Sequence, residues 1–164
     1  MTMTDPHDVE RNLPRDQRQE MLVSWAAMAF GRRQATSVPQ RGLRLLEEAI
    51  EAYQASGGDE AMAHKLVKFV FERPPGTIGQ ELGGVAVTSL LLAAAAGLSA
   101  EEEECREVHR VLSKPLREFT ERNANKNAAG FLIDAAQKNA CCGNSGTHGE
   151  GAREYCSTCG QEVL

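Results

Sequence analysis

Aromatic residues are scarce in this chain: one Trp, two Tyr and five Phe make up 5% of 164 residues. β-Branched residues are sparse too, whereas Ala occurs 22 times. That balance argues against a β-sandwich or barrel and suits packed helices. A basic excess is missing: 18 Lys and Arg face 23 Asp and Glu, for a net charge of −5. A uniformly basic nucleic-acid surface is therefore not expected. A long apolar run is also missing. The longest, from Val85 to Leu98, is broken by Thr88, Ser89 and Gly97, and falls short of the roughly 20 residues that a membrane span requires. Met1 to Arg18 is polar and lacks the apolar core of an export signal. The expected home is cytoplasmic, where the five Cys are thiols or metal ligands rather than disulfides. There is no internal repeat.

What is present is a series of helix punctuation marks. A helix is expected over 15–30, closed by Gly31, with a polar connection over 32–37. Ser37 and Gln40 form a capping box with Pro39 in the first turn, opening a helix that runs to about Ser56 and stops at Gly57-Gly58. Asp59 is the expected N-cap of a third helix, over 60–72, ended by Pro74-Pro75. Thr77 and Gln80 open a fourth, reaching Ala96 with Gly97 as its C-cap. Ser99 and Glu102 open a fifth, whose acidic first turn suits the helix dipole and which Pro115 kinks or breaks. A short helix is expected near 131–140. From Cys141 the composition changes: residues 141–164 hold five of the 15 Gly and four of the five Cys. The expected organisation is an all-α, four- to five-helix bundle over 1–140 and a Cys-rich tail over 141–164.

Two helices carry the candidate chemistry. On the second, Leu45, Leu46, Ala49, Ile50, Ala52 and Tyr53 form an apolar arc, and Glu47, Glu48 and Glu51 lie opposite. By itself this is equally well a solvated acidic face. The fourth helix is apolar nearly all round and so is expected to be buried, yet it carries Glu81. A carboxylate entering a core must be paired, hydrogen-bonded or metal-bound, although a first-turn position at the rim would also suit it. If the two helices pack side by side, Glu48 and Glu51 converge with Glu81. Three carboxylates together call for a cation, and hard oxygen donors suit Mg²⁺ or Mn²⁺, which take up phosphate oxygens.

Leu46-Glu47-Glu48-Ala49-Ile50-Glu51-Ala52, followed by Gln80-Glu81-Leu82-Gly83-Gly84-Val85, resembles the E-E-x-x-E … E-x-x-D signature of the MazG-like all-α nucleoside triphosphate pyrophosphohydrolases. The resemblance covers roughly residues 16–131. It implies a helical bundle, often oligomeric and here expected as a homodimer, that cleaves a (d)NTP to the monophosphate and pyrophosphate. It implies metal ligation by Glu48, Glu51 and Glu81, with Glu47 close by. The expected mechanism is metal-assisted hydrolysis, in which Glu47 takes the proton of a metal-bound water. Basic and polar residues after the fifth helix, Arg122, Asn123 and Lys126, match positions that meet the phosphates. Trp25, the only Trp, is similar to an aromatic that stacks on the base in some relatives, although a core or interface Trp is the more ordinary reading. The last acid of the signature is Gly84 here, which has no side chain, and the 29-residue gap between the motifs is long for the family. Phage-type members resemble this chain in carrying E-x-G-G at this point. Glu47 or Asp59 can compensate for the missing acid. Alternatively the chain is a catalytically weak or inactive regulator that binds nucleotides or a partner. His64, and the Cys105/His109 pair, read more easily as structural residues.

In the tail, Cys156-Ser157-Thr158-Cys159-Gly160 is a C-x-x-C-G unit of zinc-knuckle type. Its remaining ligands are expected from Cys141, Cys142 and His148. Free thiols or a redox pair are the alternatives, the latter lacking the βα unit that such a pair needs.

Overall fold

The computed structural model describes residues 11–133 and, for the backbone only, 147–150, 153–156 and 162–163. Between 11 and 133 all regular structure is helical. The helices are α1 (Arg15–Phe30), α2 (Arg32–Thr36), α3 (Val38–Ala55), α4 (Glu60–Phe71), α5 (Ile78–Ala95), α6 (Ala100–Ser113) and α7 (Leu116–Ala128). Side-chain caps set four of the starts. Ser37 accepts from the Gln40 amide, Asp59 from Met62, Thr77 from Gln80 and Ser99 from Glu102. Each satisfies a donor that the first turn would otherwise leave open. After α5, Gly97 takes a left-handed φ of 71°, and the Leu98 amide bonds back to the Ala93 carbonyl at 2.9 Å. That closure needs the conformational freedom of Gly. Pro115 separates α6 from α7, as its missing amide requires. The expected polar connection over 32–37 is the five-residue helix α2. Residues 131–133 are not helical, and the rest of the helix expected near 131–140 lies outside the described residues.

The chain forms two compact units, residues 1–125 and 126–164. In the first, the buried side chains are Arg18, Ala26 and Ala29 of α1, Ala35 of α2, Gln40 of α3, Cys105 and Val108 of α6, and Phe119 of α7. α1 packs on α2 and α6, α2 on α3, and Thr120 of α7 donates to the Ala29 carbonyl at 3.0 Å. In the second unit, β1 (Thr147–Glu150), β2 (Arg153–Cys156) and β3 (Glu162–Val163) form an antiparallel sheet in the order β1-β2-β3. Thr147 is opposite Cys156 and His148 opposite Tyr155.

The expectation of a buried fourth helix is corrected within this chain: α4 and α5 contain no buried residue. The first unit's buried side chains lie on α1, α2, α3, α6 and α7 instead.

An ion cluster holds α1 to α6. Arg18 is 4% exposed. Its Nη1 lies 2.8 Å from Glu101 and its Nη2 3.0 Å from Glu104, and Nη1 also donates to the Leu13 carbonyl. Arg15 adds a second contact to Glu104, and Arg11 reaches Glu102 at 3.5 Å. Burial opposes the Arg18 charge, but the Glu101 hydrogen bond and the Glu104 charge outweigh it and raise the guanidinium's affinity for its proton. The hydrogen bond from Arg18 holds the Glu101 carboxyl below its ordinary range. A depressed carboxyl contributes stability that is present above its unfolded-state pKa and lost as pH falls through the lower, folded value. Arg18→Met is expected to lower stability at neutral pH by about 1–2 kcal/mol, which for a chain of this size is a fall of roughly 3–6 °C in Tm. Its acid limb should also be flatter, and thermal melts from pH 7 down to pH 3 check both effects.

Candidate functional site

The sequence-predicted carboxylates divide into two groups. Glu47, Glu48 and Glu51 lie on α3, which Ser37 and Pro39 start cleanly. Glu47 is held by Arg44, Nη1 to Oε2 at 2.9 Å, one helical turn away. Glu48 is exposed and its charge is felt by Arg110 of α6, whose guanidinium it helps keep protonated. The stronger influence on Arg110 is Glu107, which accepts from Nε at 2.6 Å. Glu51 is exposed one turn beyond Glu48.

Glu81 sits in the first turn of α5 and is exposed. It folds back over its own N-terminal loop, its Oε1 2.1 Å from where a Cβ on Gly76 would stand. Within one chain α3 and α5 share no sizeable packing contact. Among the described residues, no group of three or more His, Cys, Asp or Glu is placed to hold a metal ion. The side-by-side packing of these two helices, on which convergence of Glu81 with Glu48 and Glu51 depends, is thus not a feature of the single chain. Gly84 lies one turn after Glu81, and a Cβ there would meet nothing within 4 Å.

A feature not singled out in the sequence is Arg41. It stacks over the Phe30 ring at 5.4 Å, and its buried Nε has no hydrogen-bond partner among the described residues. Burial, and then the charge of Arg44, lower its proton affinity. At about 100° per residue, Arg41, Arg44, Glu48 and Glu51 fall within an arc of roughly 80° on α3. The i, i+3, i+7, i+10 spacing was available in the sequence. The half-burial that makes the Arg41 charge costly was not, because it depends on Phe30 across the α1–α3 contact.

Trp25 packs edge-to-face with Phe30 at 5.3 Å and with Phe119 at 4.9 Å, and so joins α1 to α7. Its Nε1 is buried without a hydrogen-bond partner among the described residues. Asn123 donates to Gln34 at 2.9 Å, tying α7 to α2. Arg122 is exposed on α7, and Lys126 belongs to the second unit. His64 is exposed beside Glu60. Cys105 is fully buried with its thiol directed to Glu101 at 3.7 Å. Burial, ahead of the neighbouring charges, pushes that thiol up and keeps it neutral. Of the zinc candidates, His148 and Cys156 lie on neighbouring strands, and Cys141, Cys142 and Cys159 are outside the described residues.

Compared with known proteins, the chain matches no family model, no curated protein and no solved structure.

Proposed function

We propose that this chain is a divalent-metal-dependent nucleoside triphosphate pyrophosphohydrolase, splitting a (d)NTP with one water into the monophosphate and pyrophosphate. The observation that carries the reading is the α3 face. A half-buried guanidinium at Arg41 with an unused N–H lies on the same stripe as Glu48 and Glu51. Such a face has something for each part of a metal–triphosphate: oxygen donors for the cation and an arginine for a phosphate oxygen. Glu48 and Glu51, one turn apart and exposed, fit Mg²⁺ or Mn²⁺ as two ligands. Glu81 is the third in the E-E-x-x-E … E-x-x-G pattern, delivered by packing beyond that of the single chain.

Bound there, the ion would neutralise phosphate charge and acidify a water. The chain's own residues do the rest. Arg41 meets the triphosphate, and Glu47, fixed by Arg44, takes the proton of the attacking water. Arg122 is a further phosphate contact. Asn123 acts by holding α7 to α2. Trp25 enters as a base-stacking surface only where its ring face is reached from outside the Phe30–Phe119 cluster.

A second reading is favoured by Gly84 and by the separation of Glu81 from α3: a helical regulator that binds nucleotide and turns it over poorly. A panel of the common (d)NTPs separates the two. Pyrophosphate release with Mg²⁺ or Mn²⁺, absent from the metal-free control, is the expected result. Metal-dependent binding without release supports the regulator, and neither binding nor release rejects both readings.

We also propose that the tail holds a structural Zn²⁺ through Cys156 and Cys159 with two of Cys141, Cys142 and His148. Freshly purified full-length protein should then carry about one zinc per chain, and zinc near zero by elemental analysis would refute this.

A further inference from the structure

We propose that Gln34 of α2 and Asn123 of α7 form a subsite that reads the nucleobase, so that the substrate is a nucleotide whose base presents a hydrogen-bond donor beside an acceptor. The proposal rests on the metal–triphosphate reading of α3, and adds which end of the nucleotide lies where.

Asn123 Nδ2 donates to Gln34 Oε1 at 2.9 Å, and both side chains are half-buried. Each carboxamide carries two N–H donors and one carbonyl acceptor. The single bond between them uses one donor of Asn123 and one lone pair of Gln34. No other group among the described residues bonds either amide. Gln34 Nε2 and Asn123 Oδ1 are left, a donor and an acceptor supplied by two different helices. Turning both amides over exchanges the roles and leaves the same complement. A donor with an acceptor is what the Watson–Crick edge of a base requires in its protein partner. For a phosphate, an uncharged pair is a poorer site than a guanidinium such as that of Arg41.

The surroundings put this pair at the nucleoside end of the α3 face. Asn123 follows Phe119 by one turn on α7. Phe119 packs on Trp25 at 4.9 Å, Trp25 on Phe30 at 5.3 Å, and Arg41 stacks over Phe30 at 5.4 Å. Gln34 precedes Arg41 by seven residues, and α2 packs on both α1 and α3. The amide pair, the three rings and Arg41 thus form one run of contacts across α1, α2, α3 and α7. Glu48 lies about 10 Å from Arg41 along α3, in the direction away from Gln34, at 1.5 Å per residue. A triphosphate whose metal sits at Glu48 and Glu51 meets Arg41 at its nucleoside end. The base then continues toward Gln34 and Asn123.

The Gln34–Asn123 bond also ties α7 to α2, but α7 has another tie, from Thr120 to the Ala29 carbonyl at 3.0 Å. Gln34→Glu separates tying from reading. A carboxylate at residue 34 still accepts from Asn123, so the tie is kept, while the free donor is lost.

The test is equilibrium binding of three probes to the full chain in Mg²⁺: α,β-imido dTTP, its N3-methyl derivative and inorganic triphosphate. Thymine is chosen because one methyl group at N3 removes its only ring donor. Wild-type protein should bind the dTTP analogue at least about 10-fold more tightly than either other probe, the effect of one or two hydrogen bonds. Gln34→Glu should weaken the dTTP analogue by about 10-fold and leave inorganic triphosphate within about twofold. Equal affinity of wild type for all three probes would overturn the base subsite and leave the metal–triphosphate reading standing. So would a Gln34→Glu variant that binds the dTTP analogue like wild type, the result of a purely structural bond, or one that weakens both ligands equally, the result of charge alone. No binding of any probe would end both readings. If the variant loses helicity by circular dichroism, the N3-methyl comparison on wild-type protein decides.

Discussion

Replacing Glu51 by Gln is expected to lower metal-dependent pyrophosphate release by about 100-fold or more, since removal even of a group that only supports a metal ligand costs about 10–100-fold. The side chain is exposed on α3 and its neighbours on the helix form their own pairs, Arg44 with Glu47 among them. Folding stability should therefore change by no more than about 0.5 kcal/mol. The two effects together are diagnostic. A structural salt-bridge residue would lose stability, and a solvated surface Glu would lose neither. Glu47→Gln makes a useful contrast. On the proposed mechanism it leaves Glu48 and Glu51 in place and removes the proton acceptor, so metal affinity should persist while turnover falls. Equal activity of Glu51→Gln and wild type would remove α3 from the chemistry.

The second large effect is a gain. Gly84→Asp is expected to raise metal affinity and pyrophosphate release about tenfold, the equivalent of about 1.4 kcal/mol for one added carboxylate ligand. The position is inside α5, one turn from Glu81, and a Cβ there meets nothing within 4 Å. Steric cost is therefore absent, and Gly is already among the poorest residues for a helix interior. The substitution places an acid at the last position of the proposed E-x-x-D pattern. Steady-state kinetics against Mn²⁺ concentration separate affinity from turnover. An unchanged metal dependence would mean that residue 84 does not face the ion, and would favour the regulator reading.

Local structure was largely legible in the sequence. Ser37, Asp59, Thr77 and Ser99 announce four helix starts because an N-cap acts within three residues of itself. Pro115 and Gly97 mark a break and an end for equally local reasons. α2 gave no such signal: RRQAT has no apolar period and is too short to show one. Long-range features were less accessible. Arg18 is separated from Glu104 by 86 residues, and nothing in either neighbourhood indicates the partner. The same holds for Arg41 against Phe30 and for Trp25 against Phe119. α5 is the instructive case. Its composition led to an expectation of burial that the chain does not meet, because composition carries no information on where a chain places its core, and here the core lies elsewhere.

The central claim is that the face of α3 binds a divalent ion together with a triphosphate. Isothermal titration of full-length protein with a non-hydrolysable α,β-imido dNTP, in Mg²⁺ and in excess EDTA, addresses it most directly. Saturable binding that requires the metal and weakens sharply in both Glu51→Ala and Arg41→Met is expected. Binding that is indifferent to metal and to both substitutions, or no binding at millimolar nucleotide, would contradict it.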